Sequence, residues 1–125
     1  MKPRELILST GTKIFLGRNS KGNDELVSSF RGKENVILHT IAPGSPFCVI
    51  ERINPEDDEI YEAGIFTALK SQDWRDHKRD VPVHVFTGHD VVKYFWMKEG
   101  SWKLKNKPRE LIIKRKDLLH AGNRK

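Results

Sequence analysis

Thiols are almost absent from this sequence: Cys48 is the single cysteine among 125 residues. One cysteine makes no internal disulfide and builds no thiolate zinc site, so the chain fits a reducing compartment. Long apolar runs are missing too. The N-terminal stretch offers only Leu6 to Leu8 where a secretory leader needs about 7–15 apolar residues, and nothing approaches the roughly 20 of a membrane helix. A soluble, unexported, cytoplasmic protein without a membrane partner is expected. Internal repeats, low-complexity tracts and Pro/Gly/Ser linkers do not occur, so residues 1–125 read as one domain with its core at about 5–118 and frayed ends. Enzyme signatures are lacking as well. His-Glu-x-x-His, paired cysteines and Gly-x-Ser-x-Gly are all missing, and the acids Glu56 to Glu59 read as a helix start rather than as a metal or glycosidase pair. No catalytic residue, metal or cofactor is expected.

What is present argues for a folded, basic domain. Hydrophobic residues make up 37% and include six Phe, three Trp and two Tyr, too much apolar surface for a disordered chain. A domain of this length buries about two thirds of the surface its unfolded chain exposes. Lys and Arg number 23 against 17 Asp and Glu, a net charge of +6, and the excess is uneven. Residues 1–50 carry a net +3, residues 51–75 a net −4 and residues 76–125 a net +7. Such a balance suits a nucleic-acid footprint, although many basic proteins bind no polyanion, and charge by itself leaves the two readings even.

Glu5–Ser9 and Lys13–Leu16 read as a hairpin around Thr10-Gly11-Thr12. Asn23 is placed to cap a short helix over Asp24–Phe30, with acids in its first turn and Gly32 past its end. Val36–Thr40 and Phe47–Arg52 read as central strands joined by Ala42-Pro43-Gly44-Ser45-Pro46. The clearest helix follows, with Asn54 as cap, Pro55 at its first position, acids complementing its dipole and a run to about Trp74. Val81–Thr87 is a strand and His89–Phe95 a short helical turn. Trp102–Leu104 with Leu111–Lys114 form a closing hairpin or edge pair around Asn106-Lys107-Pro108. The expected class is α+β: a mostly antiparallel or mixed sheet with one long helix and one or two short ones laid on one side.

Several stretches carry potential chemistry. Gly17 to Asp24 lies between a strand and a helix, where backbone N–H groups and the helix dipole receive an oxyanion and Arg18 and Lys21 add charge; the alternative is a polar turn with Asn caps. It is neither a Walker A nor a dinucleotide Gly-x-Gly-x-x-Gly sequence. His39 is either an acid/base group or a packed, backbone-bonded strand histidine. Cys48 reads as inert core. Around Ser71 to Arg79, Trp74 either stacks a base beside Arg75 or closes the core under cations at a helix end. Lys103, Lys105, Lys107, Arg109 and Lys114 to Lys116 form either a solvated edge or a phosphate track on one basic strand face.

Read together, these stretches resemble the NFACT-R domain, the RNA-binding domain of the NFACT proteins of ribosome-associated quality control. The family pattern is a strand ending Gly-Arg/Lys-Asn, three residues, Asn-Asp/Glu, one residue and Leu, matched by Gly17-Arg18-Asn19, Asn23-Asp24 and Leu26. A strand ending in His, a Pro-Gly-Ser turn and an apolar strand match His39, Pro43-Gly44-Ser45 and Cys48-Val49-Ile50. An Ala-rich helix ending in Ser, a Val-x-Val/Tyr-Thr strand and a Val-x-Lys turn match Glu62-Ala63 to Ser71, Val83 to Thr87 and Val92-Lys93. The likeness spans roughly residues 10–118. Ile37, Asn35 and Pro46 stand where the family usually has an aromatic, an acid and a second histidine.

The resemblance implies an RNA-binding module, here a stand-alone copy, with ribosomal RNA or tRNA as ligand and the ribosome as a further partner. On this reading Arg18, Asn19, Lys21 and Asn23 form an anion-binding turn with His39 and Ser45 near it. Trp74, Arg75, Lys78, Arg79 and Lys93 extend the RNA-binding surface. Two other classes compete: an enzyme acting on nucleic acid or a phosphorylated small molecule through His39, and a protein-interaction module using the acidic helix face. The sequence specifies no oligomeric state.

Overall fold

The computed structural model describes residues 2–122. Strands β1 (Arg4–Ile7), β2 (Lys13–Leu16), β3 (Val36–Thr40), β4 (Cys48–Ile50), β5 (Val81–Thr87) and β8 (Arg109–Ile113) form one antiparallel sheet in the order β1-β2-β4-β3-β5-β8. Strands β6 (Val91–Val92) and β7 (Lys103–Leu104) pair separately, after a single 3-10 turn at Gly88–Asp90. Four α-helices are present among the described residues: α1 (Ser20–Phe30), α2 (Asp57–Leu69), α3 (Gln72–His77) and α4 (Arg115–Gly122). The class is α+β, with β3 and β4 central as their apolar content requires.

Strand alternation divides the core in two. Ile14, Leu16, Leu38, Cys48, Ile50, Val83 and Ile113 point to the face covered by α2, Trp74 and Leu118. Ile37, Val49 and Phe86 point the other way, onto Leu26 and Val27 of α1 and onto Val91, Trp102 and Leu104 of the small hairpin. The helices therefore cover both faces and not one. The reason lies in β3 and β4, whose neighbouring residues are apolar on both sides of the pleat, so that each face needs a cover. Helix α2 approaches closely enough that a Cβ at Gly64 would stand 2.5 Å from Ile113 Cδ1.

Several element ends differ from the sequence reading. Helix α1 begins at Ser20, and Asn19 is its cap, its Oδ1 accepting from Gly22 N at 2.7 Å. Asn23 therefore lies inside the helix. Asn54 takes a left-handed conformation (φ 55°) outside α2, whose first turn is instead closed by Glu56 N donating to Glu59 Oε1 at 3.0 Å. The helix ends at Leu69 and does not reach Trp74. Ser71 breaks it: its hydroxyl donates to Ala68 O (2.7 Å) and accepts from Trp74 N (3.2 Å), ending one helix and capping the next. The strand after Pro46 is short, Cys48–Ile50. Lys103–Leu104 pairs with β6, and Arg109–Ile113 with β5, so the expected closing hairpin does not form. That separation also divides the basic run from Lys103 to Lys116 between two sheets and a helix. Helix α4 was not expected from the sequence; it buries Leu118 completely against the α2 face.

Candidate functional site

Three turns converge at one end of the sheet: the β2–α1 turn, the Pro43-Gly44-Ser45-Pro46 turn and the start of α3. Asn23 holds the first two together, its Oδ1 accepting from the buried Phe47 N at 3.0 Å. Gly17 N donates to Phe47 O at 3.1 Å, and a Cβ at Gly17 would lie 1.9 Å from the Asn23 oxygen, so the position needs glycine. Ser45 fixes the second turn: its hydroxyl accepts from Thr40 N (3.1 Å) and donates to Pro46 O (3.0 Å). Gln72 N then donates to Gly44 O at 2.8 Å and docks α3 against that turn.

The result is a cleft of 480 Å³ among Arg4, Gly17, Arg18, Asn19, Ser20, Asn23, Gly44, Ser45, Pro46, Leu69, Lys70 and Arg75. Four of these side chains are cationic, and among the described residues no carboxylate lines the cleft. Arg18 Nε donates to Lys2 O at 3.0 Å and Arg75 Nη1 to Lys70 O at 3.1 Å, which orients both guanidinium groups while leaving further N–H donors on each. Helix α1 presents its N-terminus here with no acid in its first turn, adding to the positive field.

A second cleft of 460 Å³ shares Ser20, Asn23, Gly44 and Ser45 with the first, making one groove with two compartments. Its walls include His39, Phe47, His84, Phe86, Trp102 and the loop from Lys98 to Ser101. His39 and His84 face each other across β3 and β5. His39 Nδ1 lies 2.7 Å from Thr40 O and, because a carbonyl only accepts, donates to it. The ring lies tilted against Phe47 at 4.3 Å between centroids, and burial, aided by His84, holds its pKa below 6.5. His39 is thus a neutral, packed imidazole on the groove wall. Cys48 is fully buried, and burial pushes its thiol up to about 12, the inert core residue expected.

The structure gathers only part of the sequence-derived site. Arg18, Asn19, Asn23, Ser45 and Arg75 meet in the first compartment and His39 in the second. Lys21 lines neither compartment. Trp74 is 6% exposed and lies in the core, with Lys78 Nζ 4.8 Å over its ring, so its faces are closed to a base. Arg79 is bound to Asp73 at 3.0 Å. Lys93 straps the β6–β7 turn, its Nζ donating to Asp24 Oδ1 (3.2 Å), Lys98 O (2.9 Å) and Ser101 O (2.7 Å). Arg4, Lys70, His84 and Trp102 were missed. Arg4 enters through its pairing opposite Leu16, and Lys70 through the end of α2. No local pattern marks either of them; only the β3–β5 register marks His84.

The family model for the NFACT protein RNA binding domain matches residues 2–106. No curated protein matches the sequence. Among solved structures, the C-terminal part of the fibronectin/fibrinogen-binding protein from Streptococcus suis superposes with a TM-score of 0.83 at 22% identity, over 97% of this chain and 49% of that one. The chain spans about half the length of that relative, and a likeness at this identity speaks for the fold.

Proposed function

Because the chain belongs to the NFACT protein RNA-binding domain family, an RNA-binding and not a catalytic family, we propose that it binds ribosomal RNA or tRNA through the two-compartment groove. The cytoplasm, and a translation or ribosome quality-control setting, are the context this reading assigns. The observation that carries it is the first compartment: the guanidinium groups of Arg4, Arg18 and Arg75 converge from three separate segments, and among the described residues no carboxylate lines the cleft. Like charges brought together at a concave surface repel one another, and a bound polyanion offsets that repulsion. Arginine forks take phosphate oxygens in pairs. The second compartment, with its histidines and Trp102, supplies stacking faces and hydrogen-bonding edges for bases and sugars.

The test is RNA affinity across salt concentrations. If about five phosphates are neutralised on unpaired RNA, log affinity falls against log salt with a slope of about −3 to −4. Arg18→Glu with Arg75→Glu weakens binding at least about tenfold, or about 1.4 kcal/mol. The matched control is Lys114→Glu with Lys116→Glu, two exposed positions outside the groove. Equal losses at the two sites, or a flat salt dependence, refute the groove as a specific anion site.

A further inference from the structure

The turn between β6 and β7 exposes three consecutive aromatic side chains. Tyr94 is 41% exposed, Phe95 97% and Trp96 68%. They lie outside both core clusters, and Phe95 stands wholly in water. Patches of this kind mark interaction sites.

The turn is held in shape. Met97 N donates to Tyr94 O at 3.0 Å, and the Tyr94 and Trp96 rings stack at 4.7 Å with 4° between their planes. Phe95 sits edge-on to Trp96 at 5.4 Å. From α1, Asp24 Oδ1 accepts from Lys93 Nζ (3.2 Å), Gly100 N (3.0 Å) and Trp102 Nε1 (3.0 Å), pinning both ends of the turn to the domain. The charge beside the rings is mostly positive. Lys103 Nζ lies 6.0 Å from the Tyr94 ring centroid, Lys98 is exposed on the same turn with Glu99, and Lys105 and Lys107 follow β7. Lys98 to Trp102, the second half of the turn, is a wall of the groove. The aromatic cluster therefore stands next to the RNA groove, on the segment that encloses it.

We propose that Tyr94, Phe95 and Trp96 are a stacking platform for unpaired bases, which makes single-stranded RNA, or an unpaired loop of a folded RNA, the ligand class of this domain. Every base has a π face that an exposed ring can cover, whereas in a duplex those faces are occupied by neighbouring pairs. The lysines beside the rings donate to the phosphates between stacked bases. The inference rests on the groove as the RNA site and adds what that RNA must offer.

The experiment compares an oligouridine of about twelve nucleotides, within the span of known single-strand sites, with a blunt RNA duplex of the same length, by fluorescence anisotropy on the full chain. Phe95→Ser with Trp96→Ser weakens oligouridine binding at least about tenfold and duplex binding by less than about twofold. Trp96→Phe keeps oligouridine affinity but removes the share of tryptophan quenching that Trp96 contributes, leaving the smaller share of Trp102 on the groove wall, since Trp74 is buried. Arg18→Glu with Arg75→Glu weakens both ligands. Unchanged oligouridine affinity in the serine variant, with the arginine variant still impaired, overturns the platform and leaves the groove standing. Equal losses of the serine variant on both ligands overturn it too. If the parent chain binds neither RNA, the groove reading itself fails. Sedimentation with phosphatidylglycerol/phosphatidylcholine vesicles, or self-association, that the serine variant loses while its oligouridine affinity is intact assigns the patch to a membrane surface or a second copy instead.

Discussion

Asn23 changes role with a shift of one helical turn. As a cap its side chain would face solvent and the backbone of its own helix, and its loss would cost about 1 kcal/mol. Inside α1 it is 8% exposed and its oxygen satisfies the buried Phe47 N–H of another segment. Asn23→Ala leaves that donor unpaired, and urea unfolding should show a loss of about 1–3 kcal/mol. Gly17→Ala should cost a comparable amount, since its Cβ would displace the same oxygen. Because the two changes strike one contact, the double variant should cost clearly less than the sum of the single ones. Additive losses would show that Gly17 and Asn23 act separately. The sequence displays both residues at motif spacing, but which way the Asn23 side chain turns depends on where the helix starts, and that is set by Asn19.

Among the elements, the β6–β7 pair has the least support of its own: four strand residues pair two by two, and Asp24 ties the connecting turn to α1. Asp24→Ala should speed amide exchange across residues 93–102 at least about tenfold while β3, β4 and β5 keep their protection, as expected when a low-stability unit opens independently. Acceleration spread evenly over the main sheet would remove Asp24 as the anchor. The pairing of this element was not legible in sequence. Asn106-Lys107-Pro108 reads as a hairpin turn between two β-prone runs, yet β8 binds the free edge of β5, where Leu111 and Ile113 reach the α2 core. Propensity marks strands and turns; the choice of partner belongs to buried surface. The α2–α3 break was hidden for a related reason, since apolar spacing continues through Leu69 and Trp74 and only the double role of the Ser71 hydroxyl interrupts it.

For the whole molecule, stability should fall in two steps as pH drops. His39 has a folded pKa below 6.5, so the unfolded chain binds a proton first and stability is lost as pH falls below about 6.5 toward the folded value. Glu59 is lowered to about 2 by hydrogen bonds from Thr10, Thr12 and the backbone of Glu56, with Arg52 adding attraction. Its contribution is complete above 4.5 and is lost as pH falls through that value toward 2. Urea midpoints measured from pH 7 to 2 should show both declines, and Glu59→Gln should flatten the lower one while leaving the upper. An unchanged slope below pH 4.5 in that variant would reject Glu59 as its source. The uneven charge seen along the chain also resolves only at this scale. The basic stretch near the C-terminus is dispersed over β7, β8 and α4, while the cationic cleft draws on Arg4, Arg18, Lys70 and Arg75.

Local order could be read along the chain: the α+β class, the central apolar strands, the acidic start of α2 and the family pattern from Gly17 to Leu26. Caps, helical spacing and strand alternation are interactions between near neighbours, so their signals survive in one dimension. The groove could not be read in that way. Its cations and histidines meet because β1 pairs with β2, β3 with β5, and α3 docks on the turn at Gly44. Each of those contacts is chosen by the burial of both sheet faces at once, and no segment carries that information alone.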